Sequence, residues 1–139
     1  PWVQALRDYG DALGIAFQIV DDLLDYGGSS AVIGKNTGDD FRERKVTLPV
    51  IKAVARADAE ERAFWVRVIE KGRQNDGDLE QAMAIMARHG AMQSARADAL
   101  DWAAKARNAL RVLPEHPLKT MLDQLADYIV ARISYSPDS

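Results

Sequence analysis

Apolar residues recur every three or four positions along the first 24 residues, and this spacing constrains the fold more than any other feature. The recurring positions are Val3, Leu6, Tyr9, Leu13, Phe17, Val20 and Leu24. Such a period places the side chains on one face of an α-helix, whereas a half-buried strand needs a period of two. Alanine, the best helix former, is abundant in the rest of the chain. The pattern predicts a helix over about residues 2–25 and an all-α fold.

Proline, glycine and capping residues divide the remaining sequence into further helices. Pro49 suits the first turn of one helix, and Asp58 followed by Glu61 is typical of a capping box. Asp78 is expected to cap the next helix, which ends where Gly90 allows a left-handed turn. The predicted helices span about residues 48–56, 58–71, 78–89, 91–112 and 117–133. A glycine-rich loop is predicted over residues 27–40.

Composition excludes several classes of protein. The net charge is -3 and the isoelectric point is about 5.4, so no global basic charge points to nucleic acid. The chain has no cysteine, which excludes disulfides and thiolate chemistry and favours a cytoplasmic location. The sequence contains no run of about 18 apolar residues, so no transmembrane helix is predicted. The chain begins with Pro1, which leads us to expect that it is part of a longer protein.

Three aspartates, Asp21, Asp22 and Asp25, lie within five residues near the end of the first predicted helix. Asp21 and Asp25 are one turn apart on the same face, where like charges repel. The helix dipole also disfavours anions at a C-terminus, and the flanking residues are apolar. A bound cation would reverse these unfavourable terms, and oxygen ligands alone favour Mg²⁺ before Mn²⁺ or Ca²⁺. A solvated acidic helix end is the alternative, but it does not explain the apolar flanks.

A charged loop follows the aspartates. Lys35 follows a glycine, Asp39 and Asp40 come next, and Lys45 lies ten residues after the first lysine. A charge run by itself usually marks a solvated surface. Beside a carboxylate cluster, however, lysines and a metal ion could together neutralise a diphosphate and stabilise it as it departs. The lysine at 35 does not belong to a P-loop, because the required glycine spacing is absent.

Taken together, the residues resemble a known family. The segments Tyr9 to Tyr26, Gly34 to Asp40 and Lys45 to Pro49 resemble the second aspartate-rich region of trans-isoprenyl diphosphate synthases. The resemblance is closest to the long-chain octaprenyl, decaprenyl and solanesyl type. It implies a helical bundle of the isoprenoid (terpenoid) synthase type, of which residues 1–139 would be the C-terminal part of a single domain. The family's first aspartate-rich motif is absent, so we expect these residues alone to be inactive.

The resemblance also implies a reaction and its partners. The complete protein would be a homodimer that elongates an allylic diphosphate with isopentenyl diphosphate, with Mg²⁺ as cofactor and diphosphate as the released product. The roles carried over by position are metal binding for Asp21, Asp22 and Asp25, diphosphate binding for Lys35 and Lys45, lining of the reacting centre for Phe17 and Gln18, and ordering of the loop for Asp39 and Asp40.

Two other functions within this chemistry stay open at this point. A class I terpene cyclase also uses aspartate clusters and Mg²⁺, although the lysine-containing loop argues against it. A non-catalytic subunit of a heteromeric prenyl synthase is the second alternative. Such a subunit would be expected to lose acidic residues or lysines, and here all of them are present. A plain helical interaction module would not explain the acidic residues within an apolar helix.

Overall fold

The computed structural model describes residues 1–27 and 38–134 of the 139. Every regular element within these two ranges is helical. The helices are α1 Trp2–Gly27, α2 Asp39–Arg42, α3 Leu48–Ala55, α4 Ala59–Trp65, a π-helix Val66–Glu70, α5 Asp78–Arg88, α6 Ala91–Ala109, a 3₁₀ turn Leu110–Val112 and α7 Pro117–Ser134. The all-α prediction is therefore confirmed. None of these helices is long and apolar enough to cross a membrane.

Most predicted boundaries agree with the structure. The capping box is present: Asp58 accepts a hydrogen bond from the Glu61 amide at 2.9 Å, and Glu61 accepts one from the Asp58 amide at 3.0 Å. Gly90 has a φ of 63°, as expected of a left-handed C-terminal turn. The predicted capping role of Asp78 is wrong. Gly77 occupies the N-cap position, and the Asp78 carboxylate instead pairs with Arg67 at 2.8 Å.

The chain divides into two compact units. Unit 1 comprises Pro1–Asp21 and Arg96–Ser139. Many of its buried residues are alanines on α1, α6 and α7, and small side chains allow helices to approach closely. The Tyr9 hydroxyl of α1 donates to the Leu122 carbonyl of α7 at 2.7 Å, and Arg107 of α6 forms ion pairs with two aspartates of α7.

Unit 2 comprises Asp22–Ala95. Its core brings together the end of α1, the helices α2 to α5, the π-helix and the start of α6. The buried residues are Tyr26, Phe41, Val50, Ala53, Phe64, Trp65, Val68, Ala82, Ile85, Met86 and Ala91. Large aromatic side chains supply much of this core, and the rings of Phe64 and Trp65 meet edge to face with centroids 5.2 Å apart. Unit 2 thereby fixes the end of α1 against α2, where the acidic residues lie.

Candidate active site

The aspartate cluster lies on the last two turns of α1, and its members differ in exposure. Asp21 is half-buried, whereas Asp22 and Asp25 are only 8% and 1% exposed. Within residues 1–27 and 38–134, no three acidic or histidine side chains come together as a ready metal site. Helix geometry gives part of the reason, since Asp22 is rotated by about 100° from Asp21. Metal binding by Asp21, Asp22 and Asp25 therefore stays a prediction.

Asp25 has a structural contact that its position in the sequence did not indicate. Its carboxylate accepts a hydrogen bond from the Asp40 amide at 3.1 Å, and its carbonyl accepts one from the Gly38 amide at 2.9 Å. Gly38, the N-cap of α2, has no side chain to offer. Asp25 therefore supplies the acceptor that a capping side chain would normally provide for the amides at a helix start. This contact attaches α2 to the end of α1.

Negative charge is concentrated around Tyr26, which is 1% exposed. Burial raises the pKa of its phenol, and the nearby carboxylates of Asp25, Asp40 and Asp22 raise that pKa further. The buried hydroxyl of Thr47 acts in the opposite direction and lowers this pKa. Three carboxylates thus act on one buried phenol at the end of α1. Sequence reasoning gave no role to Tyr26 or Thr47, although both lie within the motif segments.

Lys45 lies beside the buried Asp40. Its ammonium nitrogen is 3.4 Å from an Asp40 carboxylate oxygen and 3.4 Å from a Glu43 oxygen. Hydrogen bonding to Asp40, and to a smaller extent to Glu43, raises the pKa of Lys45. Its side chain is 58% exposed, so the cation that pairs with Asp40 is still open to a ligand. The predicted role of Asp39 and Asp40 in ordering the loop stays a prediction.

The turn between α2 and Lys45 is a Schellman motif, a helix end closed by two backbone hydrogen bonds. The Lys45 amide donates to the Asp40 carbonyl at 2.9 Å, and the Arg44 amide donates to the Phe41 carbonyl at 3.0 Å. Arg44 occupies the left-handed position of the motif with a φ of 64°, where glycine is usual. This conformation was not predictable from the sequence, because an arginine does not indicate a left-handed residue.

The other predicted site residues have varied surroundings. Phe17 and Gln18 are both exposed on α1, and their predicted lining of the reacting centre stays a prediction. Asp39 is half-buried and pairs with Arg42 at 3.1 Å. Lys35 lies outside the described residues, as does most of the predicted loop. The end of that loop is helical, because Asp39 and Asp40 begin α2.

Comparison with known proteins agrees with this architecture. The chain is 72% identical to a decaprenyl diphosphate synthase from Rhodobacter capsulatus, with a TM-score of 0.87 over 94% of this chain and 40% of that one. It is 44% identical to a polyprenyl synthase from Caulobacter crescentus, crystallised with calcium and isoprenyl diphosphate, with a TM-score of 0.84 over 92% and 39%.

An octaprenyl diphosphate synthase from Haemophilus influenzae is 40% identical over 93% of this chain and 39% of its own length. The chain therefore spans about 40% of the length of these relatives. The family model for polyprenyl synthetases matches residues 2–86, a range that contains the aspartates of α1, the turn after α2 and Lys45. On this match, the chain belongs to the polyprenyl synthetase family.

Proposed function

We propose that this chain forms one wall of the active site of a prenyltransferase that elongates an allylic diphosphate with isopentenyl diphosphate. The observation that carries the proposal is the arrangement at the end of α1. The buried Asp25 carboxylate accepts a hydrogen bond from the Asp40 amide at 3.1 Å, and the exposed ammonium of Lys45 pairs with the Asp40 carboxylate at 3.4 Å. An acidic cluster next to a fixed ammonium group suits the recognition of a metal-bound diphosphate.

In the proposed reaction, the bond between the allylic carbon and its diphosphate oxygen breaks. The double bond of isopentenyl diphosphate then forms a carbon–carbon bond to the allylic cation, and the resulting cation loses a proton to the released diphosphate. Lys45 would hold oxygens of the departing diphosphate, where a positive charge stabilises the developing negative charge. Phe17 and Gln18, exposed on α1, would line the reacting centre.

The donor set fits a hard divalent cation. Asp21 and Asp22 offer only carboxylate oxygens, which suits Mg²⁺. A bound Mg²⁺ would neutralise the diphosphate and make it a better leaving group. Because this chain supplies only part of a metal shell, further ligands would come from the portion of the synthase fold that the relatives have in addition. The homodimer implied by the family resemblance belongs to this proposal as well.

A chimera tests this function directly. Residues 1–139 would replace the matching 40% of the Rhodobacter capsulatus enzyme, and products would be followed from labelled isopentenyl diphosphate and an allylic primer in Mg²⁺. We expect the chimera to form polyprenyl diphosphates and this chain by itself to form none. Turnover by the isolated chain, or a folded but inactive chimera, would contradict the proposal. A cyclised hydrocarbon product would favour the terpene cyclase instead.

A further inference from the structure

Arg44 combines an unusual backbone conformation with a fixed side chain. Its φ of 64° is the left-handed conformation, which is unfavourable for residues other than glycine because the β-carbon crowds the following carbonyl. Glycine would close the same Schellman motif without this strain. Something other than closure of the turn must therefore offset the strain of an arginine here.

The guanidinium group provides that compensation by bonding to the end of the π-helix. It donates to the Ile69 carbonyl at 2.8 Å and to the Glu70 carbonyl at 2.6 Å. The last carbonyls of a helix lack partners within the helix, and a cation suits the negative end of its dipole. Two bonds from one planar group also restrict its orientation more than a single bond would.

The neighbouring residues leave room for this contact and reinforce it. A β-carbon added at Gly72 would lie 3.0 Å from the guanidinium carbon of Arg44, so a larger side chain at residue 72 would displace the guanidinium. Gln74 makes a parallel connection, donating to the carbonyl of Phe41 at 2.8 Å and to that of Val68 at 2.9 Å. Two side chains thus attach the segment around α2 to the π-helix.

We propose that Arg44 is a positioning residue: by anchoring the turn after α2 to the π-helix, it holds Lys45 beside Asp40 and ready for a diphosphate. The inference rests on the proposed function, in which Lys45 binds that group. The ammonium of Lys45 lies at the end of a flexible side chain, so the position of this group depends on how firmly the Lys45 backbone is held. The Lys45 amide donates to the Asp40 carbonyl, and the guanidinium of the preceding residue, Arg44, bonds to the π-helix.

The variant Arg44→Gly separates this role from a merely structural one. Glycine accepts the left-handed φ, so the variant should fold at least as well as the unmodified chain. It nevertheless loses both bonds to the π-helix. Arg56→Gly is the matched control, because Arg56 also donates its guanidinium to a backbone carbonyl, that of His89 at 2.6 Å, and is not part of the turn that carries Lys45.

The binding of inorganic diphosphate to the chimera with the Rhodobacter capsulatus enzyme in Mg²⁺ would be measured by phosphorus NMR, with Lys45→Ala as the reference for loss of the ammonium. We expect Arg44→Gly to weaken binding by about tenfold or more, about 1.4 kcal/mol, without a lower midpoint of urea unfolding. Arg56→Gly should bind normally. Hydrogen exchange at the Lys45 amide should accelerate in Arg44→Gly alone.

The outcomes distinguish the two proposals. If Lys45→Ala weakens binding and Arg44→Gly does not, the positioning role is refuted and the proposed function stands. If Lys45→Ala binds diphosphate like the unmodified chimera, or the unmodified chimera binds none, diphosphate binding by Lys45 fails, and the positioning role fails with it. Unchanged exchange at the Lys45 amide in Arg44→Gly would also overturn the inference.

Discussion

Asp25 should stabilise unit 2 through its hydrogen bond to α2, and two substitutions separate this role from that of its charge. Asp25→Ala removes the acceptor for the Asp40 amide, a bond of 3.1 Å to a side chain that is 1% exposed. Leaving a buried donor without a partner lowers the free energy of unfolding by about 1–3 kcal/mol. We therefore expect the free energy of unfolding of Asp25→Ala to be lower by about 2 kcal/mol. Asp25→Asn keeps an acceptor oxygen and relieves repulsion from Asp22 and Asp40, so its cost should be smaller.

Urea unfolding followed by tryptophan fluorescence would measure both variants. Trp65 is the tryptophan of unit 2 and is 4% exposed, so Trp2 and Trp102 would be replaced by phenylalanine in every protein compared. With a denaturant slope of about 2 kcal/mol per molar urea, a loss of about 2 kcal/mol lowers the midpoint by about 1 M. Asp11→Ala, at an exposed position of the same helix, should leave the midpoint unchanged.

An Asp25→Ala variant that unfolded at the midpoint of the unmodified chain would refute this role of the hydrogen bond between Asp25 and α2. An equal loss of stability in Asp25→Ala and Asp25→Asn would show instead that the charge, and not the hydrogen bond, is what stabilises this part of the fold.

Two further predictions concern unit 2. Gly38→Ala should lower stability by at least about 1 kcal/mol in the same urea assay, since Gly38 has a φ of 85° and an added β-carbon would lie 2.5 Å from Leu79; normal stability would contradict the geometry. The pKa of Glu61 is lowered, first by the Asp58 amide and then by His89, so the charged form is favoured in the folded state. The contribution of the Glu61 carboxylate to the free energy of unfolding should be complete above about pH 4.5 and should disappear as the pH falls through the lowered pKa. The urea midpoints of the unmodified chain and of Glu61→Gln should therefore converge as the pH is lowered from 6 to 3.

The helices were predictable because their signals are local. The three-to-four residue period gave α1 to within two residues at its end, and the capping box of Asp58 and Glu61 formed as expected. The π-helix was not predictable, since the sequence Val66–Glu70 has the same apolar spacing as an α-helix. Asp78 was assigned to the wrong position because its true partner, Arg67, lies eleven residues earlier and becomes a neighbour only in the folded unit.

The candidate site was predictable in its chemistry and less so in its contacts. Residue type and spacing indicated acidic groups and lysines around a diphosphate. They did not reveal that Asp25 faces the α2 amides, because apolar flanks disfavour a solvated helix face but do not identify the group that a buried carboxylate contacts. The left-handed conformation of Arg44 was likewise hidden, since it depends on two carbonyls more than twenty residues away.

The most direct test of the account is the role of Asp21 in catalysis. In the chimera with the Rhodobacter capsulatus enzyme, Asp21→Asn would be compared with Asp11→Asn, which makes the same change at an exposed position of the same helix. We expect kcat for elongation to fall by about a hundredfold or more in the first variant, by analogy with the loss of other groups that stabilise charge in a transition state, and to be unchanged in the second. An Asp21→Asn chimera that keeps full activity and the same Mg²⁺ dependence would contradict the proposal that α1 contributes a metal-binding wall.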